Sequence, residues 1–201
     1  MKIIGLTGPS GAGKGAVGAV LEKRGIPVID TDRVYHELLI PPSPCLDALV
    51  EAFGSDILAE DGTLNRTALA AIVFAEGAQE HHKTLNRIAH RFVIERTNEL
   101  LDAFRAEGQR FAVIDAPLLL EAGMDAVCDI VIAVLADRET RLSRLLIRDQ
   151  KSREQLLARL DAQPSDDFYR SRAHFVVENN GSCDELNGKV DAILAEMERM
   201  S

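Results

Sequence analysis

The chain has 201 residues, with 46% apolar and 27% charged side chains and a formal net charge of −9. This size and composition indicate a globular protein that can bury a large core, and the acidic balance argues against broad nucleic-acid binding, which needs a basic face. No apolar run approaches the roughly 18 residues that span a bilayer and the N-terminus lacks a signal-peptide pattern, so we expect a cytoplasmic protein without a nucleic-acid or membrane partner.

The first predicted element is a strand at 3–6, and a glycine-rich loop leads from it into an amphipathic helix over 16–23. A strand, a G-x-x-x-x-G-K loop and a helix in this order are typical of a phosphate-binding P-loop. Glycine permits positive φ and a close backbone approach to phosphate, which we expect at Gly8, Gly11 and Gly13, and a helix N-terminus attracts anions. A glycine-rich turn without a ligand is the alternative. The predicted nucleotide-binding residues are Gly8, Pro9, Ser10, Gly11, Ala12, Gly13, Lys14, Gly15 and Ala16.

Two acidic residues, Asp30 and Asp32, lie between a strand predicted at 26–29 and a helix predicted over 33–39. An acidic residue at a helix N-terminus stabilises the helix by roughly 1 kcal/mol, so capping explains at least one of them. A carboxylate at this strand end is also suited to accept the proton of a substrate hydroxyl that attacks a phosphate. The spacing alone leaves both alternatives open.

The pattern changes between Cys45 and Arg110, where amphipathic helical stretches replace the apolar strands. This block predicts a helical insertion between the second and third strands, over residues 33–109. An insertion at that point lies over the carboxyl ends of the strands, where open α/β sheets bind ligands. His90 belongs to the insertion, and the residues alone favour a structural role for it.

The sheet resumes at 110–115, and Asp115 ends this strand before Pro117. A carboxylate at the end of a buried strand is typical of the Mg²⁺-binding position in P-loop proteins. The Ser or Thr hydroxyl that usually binds Mg²⁺ after the P-loop lysine is missing, because Gly15 stands there. We therefore predict that Asp115 contacts Mg²⁺ through a water molecule, with a turn residue as the alternative.

The last third of the chain completes an α/β pattern. Strands are predicted at 129–134 and 174–178, a charged helical stretch over 138–162, and a final amphipathic helix from Cys183 to Met200. Apolar strands that alternate with helices predict a mostly parallel sheet covered on both faces. Arg141, Arg144 and Arg148 share one helix face, since they are spaced at i, i+3 and i+7. They form either a salt-bridged surface or a mobile lid that brings arginine to a transferring phosphate.

The cysteines and histidines indicate no metal site. Cys45, Cys128 and Cys183 lie far apart in the sequence, which predicts reduced thiols rather than a disulfide framework or a zinc site. The five histidines show no metal-ligand spacing.

Together these stretches resemble the dephospho-coenzyme A kinase family over nearly the whole chain. The P-loop comes first, and V-I-D-T-D at 28–32 is similar to the family's D-A-D motif. D-G-T-L-N-R at 61–66, His90 and P-L-L-L-E at 117–121 follow, and Gln163 and the loop at 179–181 also match. The P-loop alone is weakly specific, but these motifs in this order are strongly specific.

The resemblance implies a P-loop NTPase fold with a five-stranded, mostly parallel sheet. Its nucleotide-binding core would comprise 1–32 and 110–201, with the acceptor-binding insertion at 33–109 and a lid at 138–162. The implied reaction is ATP-dependent transfer of the γ-phosphate to the ribose 3′-hydroxyl of dephospho-CoA, the final step of CoA biosynthesis, with ATP and Mg²⁺ as cofactors. We expect a monomer or a small homo-oligomer.

The resemblance also assigns roles to single residues. Asp32 becomes the general base, and Lys14, Arg144 and Arg148 the other catalytic residues. The adenine of ATP would lie near Asn179 and Gly181. The acceptor-binding residues that the resemblance implies are Asp32, His90, Arg66, Leu118 and Glu121.

Three positions depart from the family's pattern. Gly15 replaces Ser or Thr, Arg91 replaces the proline that follows the family's histidine, and His174 replaces an aspartate. Because Gly15 removes a direct Mg²⁺ ligand, we expect an active kinase with rearranged metal binding. Two alternatives remain: a kinase for another small hydroxylated acceptor, and a nucleotide-binding regulator with weak or no catalysis. The sequence contains neither the N-K-x-D nor the D-x-x-G signature of a GTPase-like switch.

Overall fold

The sheet is parallel wherever its strand ladders are defined. In the computed structural model, which describes residues 1–199, the strands are β1 Lys2–Thr7, β2 Val28–Asp30, β3 Phe111–Asp115, β4 Ile130–Leu135 and β5 Phe175–Glu178. They form one sheet in the order β2-β3-β1-β4-β5. The central strand β1 pairs in parallel with β3 and β4, and β4 pairs in parallel with β5. The predicted α/β class with a five-stranded, mostly parallel sheet is confirmed.

Helices connect these strands in the alternating order that the sequence predicts. The helices are α1 Lys14–Lys23, α2 Thr31–Glu37, α3 Pro44–Phe53, α4 Arg66–Val73, α5 Gln79–Ala106, α6 Arg138–Arg148, α7 Arg153–Asp161, α8 Asp166–Arg170 and α9 Cys183–Arg199. Single 3₁₀ turns lie at Ser55–Ile57 and Met124–Val127. Met200, the predicted last residue of the final helix, lies outside the described residues. Within residues 1–199, the structure contains no helix long and apolar enough to cross a membrane.

Alternate side chains of β1 pack against two helices and form the core on one face of the sheet. Ile4 and Leu6 point to the same face because strand side chains alternate, and both are completely buried. They belong to one apolar cluster with Leu21 of α1 and Met197 of α9. Burying side chains of this size stabilises the fold by about 1.5–3 kcal/mol each. This packing fixes the carboxyl end of β1, where the glycine-rich loop begins.

The second strand and the helix after it begin at other residues than predicted. Strand β2 starts at Val28 rather than at residue 26, and the preceding Pro27, which has no N–H to donate, accepts a hydrogen bond from Val113. Helix α2 starts at Thr31 rather than at residue 33. It starts early because the Asp30 carboxylate caps it by accepting hydrogen bonds from the N–H groups of Asp32 and Arg33, both at 3.0 Å.

The predicted charged helix over 138–162 is two helices. Helix α6 ends where Asp149 adopts an extended backbone, and α7 begins after Ser152, whose side chain forms a capping box with Gln155. The two helices pack through one leucine cluster. The sequence also missed α8, although Ser165 followed by two aspartates is a recognisable helix start.

The chain divides into two compact units. The first comprises Met1–Ile29 and the chain from Phe104 onward, and the second comprises Asp30–Ala103. The second unit has its own apolar core, contributed by helices α2 to α5 and the turn at Ser55–Ile57. Its fully buried members include Cys45, Leu49 and Ile57.

Candidate active site

The glycine-rich loop between β1 and α1 adopts the predicted conformation. Gly8, Gly11 and Gly13 have φ values of 149°, 81° and 95°, which side chains disfavour. A Cβ at Gly8 would overlap the backbone carbonyl of Val134, and one at Gly13 would overlap the amide of Asn179. Glycine is therefore required at these positions by both conformation and space.

The loop leads into a helix whose N-terminus carries no side-chain cap. Helix α1 begins at Lys14, and its N-cap residue, Gly13, has no side chain to accept from the first N–H groups. Such an end is suited to an anion, because the helix dipole and the N–H groups both favour negative charge.

Lys14 and Asp115 form an ion pair beside this helix start. Asp115 ends β3 opposite Leu6 of β1, and only 5% of it is exposed. A buried carboxylate is stable as an anion only when it is paired, so the Lys14 ammonium is the compensating charge. The pair joins the P-loop lysine to the predicted magnesium contact.

The space beside Gly15, where a serine or threonine hydroxyl would lie, is unobstructed. Gly15 is exposed, and a Cβ built on it meets nothing within 4 Å. A serine side chain therefore fits at position 15 without displacing a neighbour. Glycine is not required here, in contrast to Gly8 and Gly13.

The residues around the loop offer few protein ligands for a magnesium ion. Asp115 supplies one carboxylate, and the hydroxyl of Thr7, the last residue of β1, is buried without a hydrogen-bond partner in the described part of the chain. Over residues 1–199, no group of three or more His, Cys, Asp or Glu side chains is arranged to hold a metal ion. This set fits Mg²⁺, which commonly keeps several waters and takes further oxygens from substrate phosphates.

The three arginines of α6 occupy different environments, although their spacing puts them on one face. Arg141 is only 7% exposed, and burial lowers the pKa of its guanidinium. Arg144 donates hydrogen bonds to the carbonyls of Gly11, Ala12 and Asn179, at 3.4, 3.2 and 2.9 Å. These contacts tie α6 to the glycine-rich loop.

Arg148 is exposed and forms a surface ion pair with Asp149 at 2.6 Å. Hydrogen bonding to this carboxylate raises the pKa of Arg148, and the guanidinium lowers the pKa of Asp149. Arg159 of α7 also contacts Asp149, at 2.9 Å. The arginine predicted to reach a phosphate is therefore held by a carboxylate between α6 and α7.

Asn179 and Gly181, the predicted adenine neighbours, follow β5 and reach the same loop. Asn179 is buried, and its amide donates to the Ala12 carbonyl at 2.8 Å. A Cβ at Gly181 would overlap the carboxylate of Glu185. Because Glu185 is exposed and its side chain can move, this overlap does not by itself require glycine at 181.

Leu118 and Glu121 lie after β3 in the first unit. Leu118 is 62% exposed. Glu121 accepts a hydrogen bond from the buried Tyr169 hydroxyl at 3.2 Å, and burial together with this carboxylate raises the pKa of Tyr169. His174, one of the departures from the family's pattern, accepts from the Val131 N–H through Nδ1 at 3.0 Å, which is a structural role.

In the second unit, the structure separates the two aspartates. Asp30 is the helix cap. The Asp32 carboxylate is exposed in the first turn of α2 and has no hydrogen-bond or ion-pair partner among residues 1–199. Capping therefore explains Asp30 and leaves the carboxylate of Asp32 free for another role.

The other predicted acceptor residues of this unit are also exposed. Arg66, at the start of α4, contacts His36 Nε2 at 3.5 Å. His90 lies exposed on α5. The guanidinium of Arg91, which replaces the family's proline, lies 4.3 Å from the centre of the Phe92 ring.

A protein-family model described as dephospho-CoA kinase matches residues 2–185. The chain belongs to the dephospho-CoA kinase family. It is 37% identical over 194 residues to a dephospho-CoA kinase of Corynebacterium glutamicum, covering 96% of this chain and 98% of that protein. It is 39% identical over 198 residues to one of Anaeromyxobacter dehalogenans, covering 98% of this chain and 92% of that protein. The resemblance stated from the motifs is confirmed.

Solved structures agree with the family's fold. A Thermus thermophilus protein is similar with a TM-score of 0.81 and 33% identity, covering 97% of both chains. A dephospho-CoA kinase from Campylobacter jejuni is similar with a TM-score of 0.72 and 23% identity, covering 98% of this chain and 97% of that one. A shikimate kinase from Acinetobacter baumannii, at 0.53 and 19%, covers 100% of this chain and 95% of that one and shares the fold.

Proposed function

We propose that this member of the dephospho-CoA kinase family transfers the γ-phosphate of ATP to the ribose 3′-hydroxyl of dephospho-CoA, giving CoA and ADP. The observation that carries the proposal is the P-loop with its Lys14–Asp115 pair, in a chain whose family match spans residues 2–185. A phosphate-binding loop requires a phosphorylated ligand, and the family match names the acceptor. The regulator alternative is not favoured, because the curated relatives are named as kinases.

The P-loop binds and orients the phosphates of ATP. Its glycines bring backbone N–H groups within reach of phosphate oxygens, and the uncapped start of α1 favours their negative charge. Lys14 shifts from Asp115 toward the outer phosphates, which offer more negative charge than one carboxylate. These fixed donors stabilise charge that develops on the transferring phosphoryl group.

Asp32 accepts the proton of the attacking hydroxyl. Its carboxylate is exposed, has no partner among residues 1–199 and lies in the first turn of α2, where the helix dipole favours the anion. A free carboxylate can form the hydrogen bond that general-base catalysis needs. Asp30 is already engaged in structure, since its Oδ1 accepts the two hydrogen bonds that cap α2.

Mg²⁺ neutralises negative charge on the phosphates when it is bound. We propose that Asp115 contacts it through water, because Gly15 offers no oxygen and Mg²⁺ commonly keeps several waters. Once Lys14 has moved to the phosphates, Asp115 at the end of β3 would hold the metal through that water.

Arg144 and Arg148 complete the phosphate side, with residues 138–162 acting as the lid. Arg148 leaves Asp149 to contact the transferring phosphate, a low-cost change since exposed ion pairs contribute only about 0–1 kcal/mol. Arg144 keeps Asn179 and the P-loop together, and Asn179 with Gly181 borders the adenine. The proposed acceptor-binding residues are Asp32, His90, Arg66, Leu118 and Glu121. We place the reaction in the cytoplasm and expect a monomer or a small homo-oligomer.

An acceptor panel tests this proposal. Purified protein with ATP and Mg²⁺ should release ADP rapidly with dephospho-CoA, and at background rate with shikimate, a nucleoside or a sugar acid. Rapid turnover with one of the other acceptors would assign a different kinase activity. ATP binding without turnover on any acceptor would assign the regulator.

A further inference from the structure

Gln163, directly after the α6–α7 pair, makes two hydrogen bonds to Ser10 at the tip of the P-loop. Its Oε1 accepts from the Ser10 N–H at 3.1 Å, and its Nε2 donates to Ser10 Oγ at 3.2 Å. The two residues are 153 positions apart in the sequence. A half-buried amide thus binds the backbone and the side chain of one loop residue.

Arg141 completes the same network from α6. Its Nη2 donates to Gln163 Oε1 at 3.0 Å, and its Nε donates to the Ser10 carbonyl at 3.1 Å. Because the Ser10 N–H and the guanidinium can only donate, the amide oxygen of Gln163 must face them. The N–H, the carbonyl and the hydroxyl of Ser10 are therefore all bound by two side chains.

The loop needs external support at this point. Ser10 lies between Gly8 and Gly11, and glycine loses more conformational freedom on ordering than any other residue. Arg144 and Asn179 hold the carbonyls of Gly11 and Ala12, but neither contacts Ser10. Without Gln163 and Arg141, only the local hydrogen bond from the Ala12 N–H to the Pro9 carbonyl, at 3.1 Å, would span Ser10. The entropy of ordering Ser10 would then be subtracted from the ATP affinity.

We propose that Gln163 is a positioning residue, which orders the P-loop for ATP through Ser10 and with Arg141. This inference rests on the proposed function only in taking ATP as the loop's ligand. The sequence identified Gln163 as a motif match without a role, and its contact with the loop arises from the turn between α7 and α8. The proposal predicts that removing the Gln163 amide lowers the affinity for ATP more than it lowers the free energy of unfolding.

Gln163→Met tests the proposal, because methionine keeps the length of the side chain and removes both hydrogen bonds to Ser10, together with the one from Arg141 Nη2. A net contribution of about 1 kcal/mol from each bond corresponds to a loss of roughly 10- to 30-fold in ATP affinity. Calorimetric titration measures the Kd of ATP directly and does not depend on turnover. In the kinase assay, the KM for ATP should rise by the same factor, while kcat at saturating ATP changes less than about threefold.

Gln155→Met is the matched control. Gln155 of α7 also binds a backbone N–H, that of Ser152 at 3.1 Å, but it has no contact with the P-loop. Gln155→Met should lower the melting temperature about as little as Gln163→Met does, and it should leave the Kd of ATP unchanged. A double-mutant cycle with Ser10→Ala adds a second test, since Ser10→Ala should cost ATP affinity in the native chain and nothing further in Gln163→Met.

An unchanged Kd of ATP in a folded Gln163→Met protein would overturn the inference, as would equal losses of affinity in Gln163→Met and Gln155→Met. These results are distinct from failure of the proposed function. If the native chain binds ATP but does not phosphorylate dephospho-CoA, the proposed function fails, and the calorimetric comparison still decides the role of Gln163.

Discussion

Replacing Gly15 by serine should lower the magnesium requirement of the kinase. The added Oγ occupies a position where a Cβ meets nothing within 4 Å, so the substitution costs no packing. A protein oxygen that replaces a water on the metal should contribute on the order of 1.5 kcal/mol, the lower end for interactions with a charged group. The Mg²⁺ concentration at half-maximal activity should therefore fall by about tenfold.

A steady-state assay over a Mg²⁺ series at fixed ATP measures this effect. Gly188→Ser in α9 is the matched control, because Gly188 is also exposed and helical with nothing within 4 Å of an added Cβ. Both substitutions should raise stability by about 0.5 kcal/mol through helix propensity, or about 1–2 °C in melting temperature. Only Gly15→Ser should shift the magnesium curve.

The same titration can refute the reasoning. An identical Mg²⁺ dependence in the native chain and Gly15→Ser would mean that position 15 does not face the metal. A native chain without activity at any Mg²⁺ concentration, beside an active Gly15→Ser protein, would contradict our proposal that this chain is a working kinase.

Three further predictions separate catalytic from structural residues. Asp32→Asn should lower kcat by about 10²–10⁴ and cost at most about 1–2 °C in melting temperature, through the charge lost from the first turn of α2. Asp30→Ala should lose about 1 kcal/mol of stability, or about 2–4 °C, through its lost cap. A loss of about 2–4 °C in Asp32→Asn with near-normal turnover would reverse the two roles. Gly8→Ala should cost at least 1–3 kcal/mol of folding free energy in a denaturant titration, because a Cβ at that φ overlaps the β4 backbone, and native-like stability would contradict the loop geometry. Burial raises the pKa of Cys128 to about 12, so iodoacetamide at pH 8 should modify the exposed Cys183 and spare Cys128. Mass spectrometry that finds equal labelling of the two cysteines would contradict the burial of Cys128.

The sequence predicted the P-loop well because its features are local. A strand, a glycine at each turn and a following helix lie within about 20 residues, and the positive φ values at Gly8, Gly11 and Gly13 agree with that pattern. The sheet was predictable for the same reason, since β1, β3 and β4 are continuous apolar runs. The choice between Asp30 and Asp32 was not predictable, because it depends on the residue at which α2 begins.

The sequence pattern did not predict contacts between residues that are far apart in the chain. The spacing of Arg141, Arg144 and Arg148 predicts that they share one helix face, but not how far each side chain is buried. In the structure, Arg141 is buried and Arg148 is exposed. That difference arises from how α6 packs against the P-loop. The role of Gln163 is of the same kind, since nothing near it in the sequence indicates a bond to Ser10.

The central claim is transfer of phosphate to dephospho-CoA, and the product tests it most directly. Protein incubated with dephospho-CoA, Mg²⁺ and γ-³²P-labelled ATP should give one labelled CoA for each ADP released. With unlabelled ATP, ³¹P NMR of the product should place the new phosphate on the ribose 3′-oxygen. Label that appears only as inorganic phosphate, or ADP release that is independent of dephospho-CoA, would contradict the claim.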